Sequence, residues 1–291
     1  MTIAGPLRWV GGKSRLRSTI VRLLPPHTRY CEAFAGGAWV FFGKERAPEE
    51  ILNDVDGELI NFYRIVRDRP EDFIQSFEWT LVARAEFEYL RDVDPATLDE
   101  VERARRLYYL VMAGWGGELG YPRFAVSLKD AGHGNRLIGA LAHLRARIWP
   151  VHERLQGVTL ENLDWRECLA RHENPEAVFY LDPPFAGNLT NYRFNMRGQS
   201  DHEALAERLG QLLGRWVLSA YDTPETRALY HDRFIQPVSF ASGLETGKGS
   251  GQRLMNREVL VANFWPKGAT RGLDEYPAAG NPMAALPAGY G

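Results

Sequence analysis

The sequence AVFYLDPPF, residues 177–185, is the part of the chain from which the fold can be inferred most readily. Its first five residues are all apolar, which predicts a short strand buried on both faces of a parallel sheet. The run ends abruptly in Asp182, two prolines and Phe185. Because each proline fixes φ at about −65° and lacks an N–H group, we expect a stiff turn whose carbonyl groups point in set directions.

The predicted turn carries groups suited to an aromatic amine. The Asp182 carboxylate and the Pro183 carbonyl can accept hydrogen bonds from one amino group, and Phe185 can stack on the ring that bears it. Methylation of an exocyclic amine needs such an acceptor pair beside a stacking ring. A strand followed by a proline-rich turn with a packed phenylalanine is the structural alternative.

A second strand and turn are predicted upstream, where residues 29–34 lead into Ala35, Gly36 and Gly37. Glycines there let the backbone approach a ligand that faces helix N–H groups, although tight turns also use glycine for packing. Asp54 ends the next predicted strand, seventeen residues after Gly37. An acid at that place commonly holds a ribose, and capping of the next helix is the alternative. The order indicates a mononucleotide-binding α/β unit.

The remaining sequence divides into an insert, a resumed α/β pattern and a tail. Helical patterns over 70–80, 98–112 and 136–149 surround a glycine- and aromatic-rich segment and predict an insert over 70–154. Strands are predicted at 158–164, 215–219 and 258–264, a capping box at 200–203 opens a helix to 213, and 243–251 reads as a flexible loop. The catalytic unit is therefore expected to comprise 1–69 and 155–265, followed by a flexible tail over 266–291.

Charge is unevenly distributed although the net charge is only −2. Residues 1–29 contain six basic and no acidic residues, and residues 103–154 contain nine basic and three acidic residues, a net charge of +6. Such segregation indicates basic faces turned toward phosphates. Solvated helix faces explain each cluster about as well.

Several other kinds of chemistry lack support. Two cysteines, Cys31 and Cys168, are too few for a disulfide framework or a zinc site and predict packed thiols in a reducing compartment. The seven histidines show no ligand spacing, so no metal is expected. No stretch approaches the length of a membrane span. Residues 11–14 imitate the end of a phosphate-binding loop, but Leu7 stands where that motif requires glycine.

In chain order, these motifs resemble those of the Dam-type DNA adenine methyltransferases of the α group, over residues 6–265. Residues 6–13 are similar to the family's N-terminal cofactor motif, and residues 32–37 are similar to its Phe-x-Gly motif. Residues 182–185 match the catalytic Asp-Pro-Pro-Tyr, and residues 218–223 resemble the strand and acid that follow it.

The resemblance implies an α/β fold, with a mostly parallel, Rossmann-like sheet of seven strands and a helical target-recognition insert that carries a β-hairpin. It implies transfer of a methyl group from S-adenosylmethionine, without a metal, to the N6 amine of an adenine flipped out of duplex DNA. Two departures stand out. Phe185 replaces the family's tyrosine, and the segment from Trp115 to Arg136 diverges, so the recognised sequence stays open.

The implied site residues form three sets. The catalytic set is Asp182, Pro183, Pro184 and Phe185. The cofactor-binding set is Trp9, Lys13, Glu32, Phe34, Ala35, Gly36, Gly37, Asp54, Asp164 and Asp182. The DNA-binding set is Trp115, Tyr121, Arg123, Asn135 and Arg136, with Arg123 expected to read a base edge and Arg136 to contact phosphate.

The resemblance implies double-stranded DNA as the partner and admits a cognate restriction endonuclease as a second one. It also implies a monomeric cytoplasmic enzyme encoded by a bacterium, phage or plasmid. The same chemistry on cytosine N4 or on RNA adenine is the alternative. A catalytically silent DNA-binding protein is the alternative from another class, against which the intact Asp182, Gly36 and Asp54 argue.

Overall fold

A computed structural model of the protein describes residues 2–115, 120–125, 135–185, 196, 198–246 and 253–266. The strands are β1 Arg29–Glu32, β2 Glu49–Asn53, β3 Thr159–Glu161, β4 Ala177–Leu181, β5 Arg215–Tyr221, β6 Phe234–Thr246 and β7 Arg253–Ala262. The helices are α1 Arg17–Leu23, α2 Trp39–Gly43, α3 Gly57–Asp68, α4 Pro70–Gln75, α5 Arg84–Asp92, α6 Glu100–Ala113, α7 Arg136–Ala142, α8 Leu144–Leu155, α9 Trp165–His172, α10 Gln199–Gln211 and α11 Pro224–Leu229.

The seven strands form one sheet in the order β3-β2-β1-β4-β5-β7-β6. The pairs formed among β1 to β5 are all parallel, and β7 runs antiparallel to both β5 and β6. The prediction of a mostly parallel α/β sheet is therefore confirmed. The chain moves outward from β1 on one side and from β4 on the other, so a topological switch point lies between these two central strands.

The central strands are apolar because helices cover both faces of the sheet. All five side chains of β4 are buried. Alternate residues contribute to separate cores: Val178 and Tyr180 belong to the cluster on one face, whereas Phe179 and Leu181 belong to the cluster on the other. This alternation is what a strand with a two-residue side-chain period must show when both faces are covered.

Helices α4 to α8 lie between α3 and β3 in the chain and enlarge the core on one face. Helix α6 begins at the Asp99–Glu102 capping box, in which each side chain accepts a hydrogen bond from the other residue's backbone N–H. Apolar residues of these helices, such as Phe73, Leu107 and Ile148, join the same buried cluster as the sheet. The predicted division into a catalytic unit and an insert stays a prediction.

Several predicted boundaries of helices are wrong. The helix expected over 136–149 is interrupted at His143, where φ is −127° and ψ is 27°, and the carbonyl of His143 starts the second helix by accepting from Arg147 N. Helix α4, which was expected to reach Thr80, ends at Gln75. Turns closed by hydrogen bonds between residues three apart follow it to Thr80. Helix α10 begins one residue before the expected capping box, so its N-cap is Gly198, which has no side chain to cap with.

The predicted loop over 243–251 is wrong at its start because β6 continues to Thr246 and pairs with β7. The register of that pair shifts between Ala241 and Thr246, and glycine spacing there indicated a loop rather than a strand. Of the implied hairpin in the insert, the described residues contain one antiparallel bridge, Gly114 to Phe124. Residues 116–119 and 126–134 of the insert and nearly all of the predicted tail lie outside the described residues.

Two smaller expectations have been tested. Cys31 and Cys168 are free, buried thiols whose sulfur atoms lie 3.7 Å apart, as predicted. Among the described residues, no helix combines the length and apolar character needed to cross a membrane.

Candidate active site

The two motifs that dominate the sequence meet at the switch point of the sheet. Strand β1 pairs with β4 in a register that sets Glu32 opposite Tyr180, so the glycine turn after β1 and the Asp-Pro-Pro-Phe turn after β4 leave the sheet side by side. In open α/β sheets, ligands bind in the crevice outside the carboxyl ends of the strands at such a point. The fold therefore brings the predicted cofactor half and the predicted base-binding half together.

Asp182 is held by an ammonium group rather than left free. Lys13 Nζ lies 2.8 Å from Asp182 Oδ1, 3.6 Å from Glu258 Oε2, and donates to the Gly11 carbonyl at 3.1 Å. The side chains of Lys13 and Glu258 are 5% exposed and that of Asp182 is 20% exposed. An N-terminal residue, a strand-end residue and a residue of β7 thus form one nearly buried charge cluster.

Burial and charge act in opposite directions within this cluster. Burial raises the pKa of Asp182, and the attraction of Lys13 offsets that rise only in part. Burial likewise raises the pKa of Glu258, to about 7. For Lys13 burial lowers the pKa, but the two carboxylates outweigh it and leave the pKa above its ordinary value. Lys13 therefore stays charged at neutral pH, whereas the carboxylates hold protons more tightly than exposed ones do.

Phe185 is aimed at the same cluster. Its ring lies edge-on to Tyr221, with centroids 4.4 Å apart and an interplanar angle of 66°, and Lys13 Nζ lies 4.6 Å from its centroid. A cation over the face of an aromatic ring is attracted by the ring quadrupole. Phe185 thus has an ordered environment that joins β4, β5 and the N-terminal segment.

The glycine turn after β1 is packed against tryptophan. Gly36 adopts φ of +46°, a left-handed conformation that favours glycine, and an added Cβ there would lie 3.0 Å from Trp9. Added carbon atoms at Gly12 and Gly37 would lie within 3.0 Å of Trp39 or Trp9. Tyr63 donates its hydroxyl to the Gly36 carbonyl at 2.7 Å. The turn needs glycine both for conformation and for space.

Asp54 reaches back to this turn. Its carboxylate accepts from Gly36 N at 2.9 Å and from Asp56 N at 3.0 Å. The alternative that Asp54 caps the next helix is wrong, because Asp56 is the N-cap of α3 and accepts from Glu58 N. Burial raises the pKa of Asp54 to about 6, and the backbone donors reduce that rise. Asp54 therefore ties the end of β2 to the glycine turn.

Glu32 lies behind the turn, in the interior. It is 1% exposed, and its Oε1 accepts from the Tyr30 hydroxyl at 2.8 Å and from Phe41 N at 2.6 Å. Burial raises the pKa of Glu32 to about 8, despite these hydrogen bonds. Because the N-cap of α2, Ala38, has no side-chain hydrogen bond, Glu32 satisfies a first-turn donor of that helix instead.

The remaining predicted cofactor residues follow the carboxyl ends of β1 and β3 in the chain. Phe34 lies with its ring centroid 6.4 Å from that of Trp165 at the start of α9, and Ala35 N donates to the Asn53 carbonyl. Asp164 is the N-cap of α9, accepts from Arg166 N at 2.9 Å and is 52% exposed. The Asp164 carboxylate is therefore both a helix cap and accessible to solvent.

The predicted DNA-binding residues lie in one segment but differ in exposure. Trp115 and Tyr121 are 56% and 60% exposed, and Arg123 and Arg136 are also exposed. Asn135 is only 5% exposed, donates to the carbonyls of Ala113 and Ala125, and accepts from Leu137 N. Because these hydrogen bonds use the Asn135 amide, the residue holds the segment together. Its predicted role in contacting DNA is therefore wrong.

The expected +6 face of the insert is largely neutralised. Four of the basic side chains in residues 103–154 pair with acids that lie elsewhere in the sequence: Arg103 with Glu58, Arg105 with Glu86, Arg145 with Glu71, and Arg154 with Glu50. A count over a sequence window misses such pairs because their partners are distant in the chain. Exposed Arg123 and Arg136 remain as candidates for DNA contact.

Sequence reasoning missed three residues of the site. Glu258 is a buried acid in the otherwise apolar run 258–262 of β7, and that anomaly was the available signal. Trp39 packs on the glycine turn, and Tyr63 donates a hydrogen bond to it. Aromatic residues in helices usually fill a core, so neither residue was expected there. Nothing in their local sequence distinguished them.

Comparison with known proteins agrees with this geometry. Residues 9–241 match the family model of the D12 class N6 adenine-specific DNA methyltransferases. A Type II methyltransferase, M1.LlaDCHI of Lactococcus lactis subsp. cremoris, is 27% identical over 88% of this chain and 94% of its own. The DNA adenine methylases of Salmonella typhi and Escherichia coli K12 are 26% and 27% identical, over 91% and 89% of this chain and 96% and 95% of theirs. The chain belongs to the D12 class of N6 adenine-specific DNA methyltransferases.

Proposed function

We propose that this methyltransferase transfers the methyl group of S-adenosylmethionine to the N6 amine of an adenine flipped out of double-stranded DNA. The observation that supports the proposal best is the adjacency of the glycine turn after β1 and the Asp182 turn after β4 at the switch point of one sheet. A bound nucleoside cofactor and an extruded base would meet there. Family membership supports the same reaction.

The residues of the crevice suit S-adenosylmethionine. Gly36 has a positive φ and no side chain, so a ligand can approach its backbone closely. Asp54 and Asp164 supply carboxylates near the ends of β2 and β3. Glu258 Oε2 is buried and has no hydrogen-bond partner among the described residues, which suits the binding of the positively charged sulfonium group. Bound there, the cofactor would supply an electrophilic methyl group. Trp9, Lys13 and Gly37 would line the pocket beside it.

The catalytic turn would orient and polarise the base. The Asp182 carboxylate and the Pro183 carbonyl would accept the two hydrogens of the adenine amine, which directs its lone pair toward the methyl group. Phe185 would stack on the ring, and Pro183 and Pro184 keep the turn stiff. Lys13 holds Asp182 in place at 2.8 Å while leaving its second oxygen to the substrate. Fixed geometry between donor and acceptor lowers the barrier to transfer.

DNA recognition is assigned to the segment around α7. The exposed aromatic rings of Trp115 and Tyr121 would insert or stack beside the target base, Arg123 would read a base edge, and Arg136 would contact phosphate. A cognate restriction endonuclease is a further partner that only the Type II name of the Lactococcus relative supports.

The proposal is tested by transfer of labelled methyl groups. Purified protein is incubated with labelled S-adenosylmethionine and with duplex DNA, single-stranded DNA or RNA, and the digested nucleosides are separated by mass. We expect N6-methyladenine from duplex DNA alone. N4-methylcytosine, or label in RNA only, would identify the alternative substrates. Cofactor binding without transfer to any nucleic acid would indicate a catalytically silent protein.

A further inference from the structure

The charge cluster beside the Asp182 turn contains two carboxylates but one ammonium group. Glu258 lies on β7 and is 4% exposed, and both its Oε2 and Asp182 Oδ1 lie within 4 Å of Lys13 Nζ. With every group ionised, the cluster carries one net negative charge in a nearly buried place. Charges removed from water are costly unless each is matched. The unliganded cluster is therefore one positive charge short.

Glu258 is the less firmly held of the two carboxylates. Asp182 makes a 2.8 Å contact with Lys13, whereas the closest approach of Glu258 is 3.6 Å, beyond the usual hydrogen-bond distance. Glu258 Oε2 has no hydrogen-bond partner among the described residues. The uncompensated charge thus resides chiefly on Glu258.

Among the described residues, the groups packed around Glu258 include no second cation. On β5 its register partner is Tyr221, and on β6 it is Val238. Tyr180 of β4 and Asp182 after β4 add a phenol and a carboxylate to its electrostatic environment. Among the described groups that act on Glu258, Lys13 alone is a cation.

We propose that Glu258 supplies the excess negative charge of this cluster and thereby makes the site bind the sulfonium form of the cofactor more tightly than the uncharged thioether left after methyl transfer. The inference rests on the proposed function, because it assumes that the cofactor's sulfur lies beside Asp182. A methyl donor in line with an amine held by Asp182 must bring its sulfonium to this cluster. Loss of the methyl group removes that charge and favours release of the product.

The protonation of Glu258 links this selectivity to pH. Because burial raises the pKa of Glu258 to about 7, part of the unliganded protein carries a proton there at neutral pH. A sulfonium would displace that proton, so its affinity should rise as pH increases through about 7. The neutral thioether has no such effect on Glu258, and its affinity should change little over the same range.

Calorimetric titration without DNA tests the inference by binding alone. S-adenosylmethionine and S-adenosylhomocysteine are each titrated into wild type and into Glu258→Gln at about pH 8. We expect the variant to lose about tenfold in affinity for S-adenosylmethionine, as for one partly solvated charge pair, and less than about twofold for S-adenosylhomocysteine. The isosteric Gln keeps the shape of the site. Glu49→Gln removes the same charge from the amino-terminal edge of the sheet and should change neither affinity.

Proton release gives a second readout that needs no variant. Titrations of wild type at about pH 7 in buffers of different ionisation enthalpy should show protons released by S-adenosylmethionine in excess of S-adenosylhomocysteine. In Glu258→Gln the excess should fall, because Asp182 and the ligands' own amino groups are then the remaining sources of protons. If Glu258→Gln keeps the wild-type ratio of affinities for S-adenosylmethionine and S-adenosylhomocysteine, the inference is overturned. If the variant does not fold, equal proton release by the two ligands in wild type overturns it instead. Failure of both ligands to bind wild type would contradict the proposed function itself.

Discussion

Asp182 carries the central chemical assignment at the scale of single residues. It is the charged acceptor of its turn, and Lys13 fixes one of its two oxygens. Asp182→Ala should raise the barrier to methyl transfer by about 3–4 kcal/mol, which is the cost of removing one preorganised group that stabilises a transition state. The single-turnover rate should fall accordingly. Circular dichroism should show an unchanged fold. Asp232→Ala, which removes an exposed acid, serves as the control.

A rate above a tenth of the wild-type value in Asp182→Ala would show that another group accepts the amine. Asp182→Asn keeps an acceptor oxygen and its size, so it separates loss of charge from loss of a hydrogen bond. We expect it to be impaired but faster than Asp182→Ala.

Phe185 is predicted to act through its ring face. Stacking of a base on an aromatic side chain contributes about 1–3 kcal/mol, so Phe185→Ala should lose that much in single-turnover rate or DNA affinity. Phe185→Tyr, which has the family's usual residue, and Phe185→Trp both keep a π face and should stay close to wild type. Equal behaviour of the Ala and Tyr variants would mean that Phe185 only packs against Tyr221.

At the scale of elements, the sequence predicted the strands and turns that build the crevice because their signals are local. The apolar run before Asp182 and the glycines after β1 each combine a buried strand with residues that restrict or free the backbone. Helices α5, α9 and α11 were not predicted because they have only nine, eight and six residues, fewer than a helical period needs to be recognised. Strand β6 was not predicted because it contains Pro237 and Gly243, which usually indicate turns. The Lys13–Asp182–Glu258 cluster could not be predicted, since it joins three distant parts of the chain.

Helix α8 is tied to the sheet by a buried ion cluster. Arg154 donates to Glu50 at 2.5 and 2.8 Å and to the Phe41 carbonyl at 3.1 Å, and Lys44 shares Glu50 at 2.6 Å. Arg154→Ala would leave the buried negative charge of Glu50 with Lys44 as its remaining cation among the described residues. We expect it to lower the free energy of unfolding by about 3–5 kcal/mol, measured by urea denaturation.

The matched control lies on the same helix. Arg145 pairs with Glu71, but its side chain is 59% exposed, so Arg145→Ala should lower the free energy of unfolding far less than Arg154→Ala does. If the Arg154 and Arg145 variants lost the same stability, the buried cluster would not be what fixes α8 to β2.

For the whole molecule, we expect DNA binding to depend on exposed cations such as Arg123 and Arg136, because several other arginines of the described residues are engaged in internal ion pairs. Arg136→Gln should weaken binding to every duplex and reduce the slope of affinity against salt by about one unit. Arg123→Gln should instead relax the preference for the cognate sequence. Both are measured on cognate and scrambled duplexes across ionic strengths. Wild-type behaviour of both variants on both duplexes would move recognition to another surface, of which the basic N-terminal stretch is the best candidate.

The stability of the unliganded protein should depend on pH through buried carboxyls. Burial raises the pKa of Glu32 to about 8 and that of Asp54 to about 6, so the folded chain binds protons more tightly than the unfolded chain. The free energy of unfolding should therefore fall as pH rises from about 4, where these carboxyls begin to ionise in the unfolded chain, to about 8, where Glu32 ionises in the folded chain. Glu32→Gln, which keeps the acceptor for Phe41 N, should flatten this dependence in urea denaturation. A slope unchanged by the substitution would show that Glu32 is ionised at neutral pH.

Methylation of cellular DNA tests the central assignment most directly. DNA from cells that express wild type or Asp182→Ala is sequenced with detection of modified bases. We predict N6-methyladenine at one short sequence in cells with wild type and none above background with Asp182→Ala. N4-methylcytosine in place of N6-methyladenine, or equal methylation by the Asp182→Ala protein, would contradict the account.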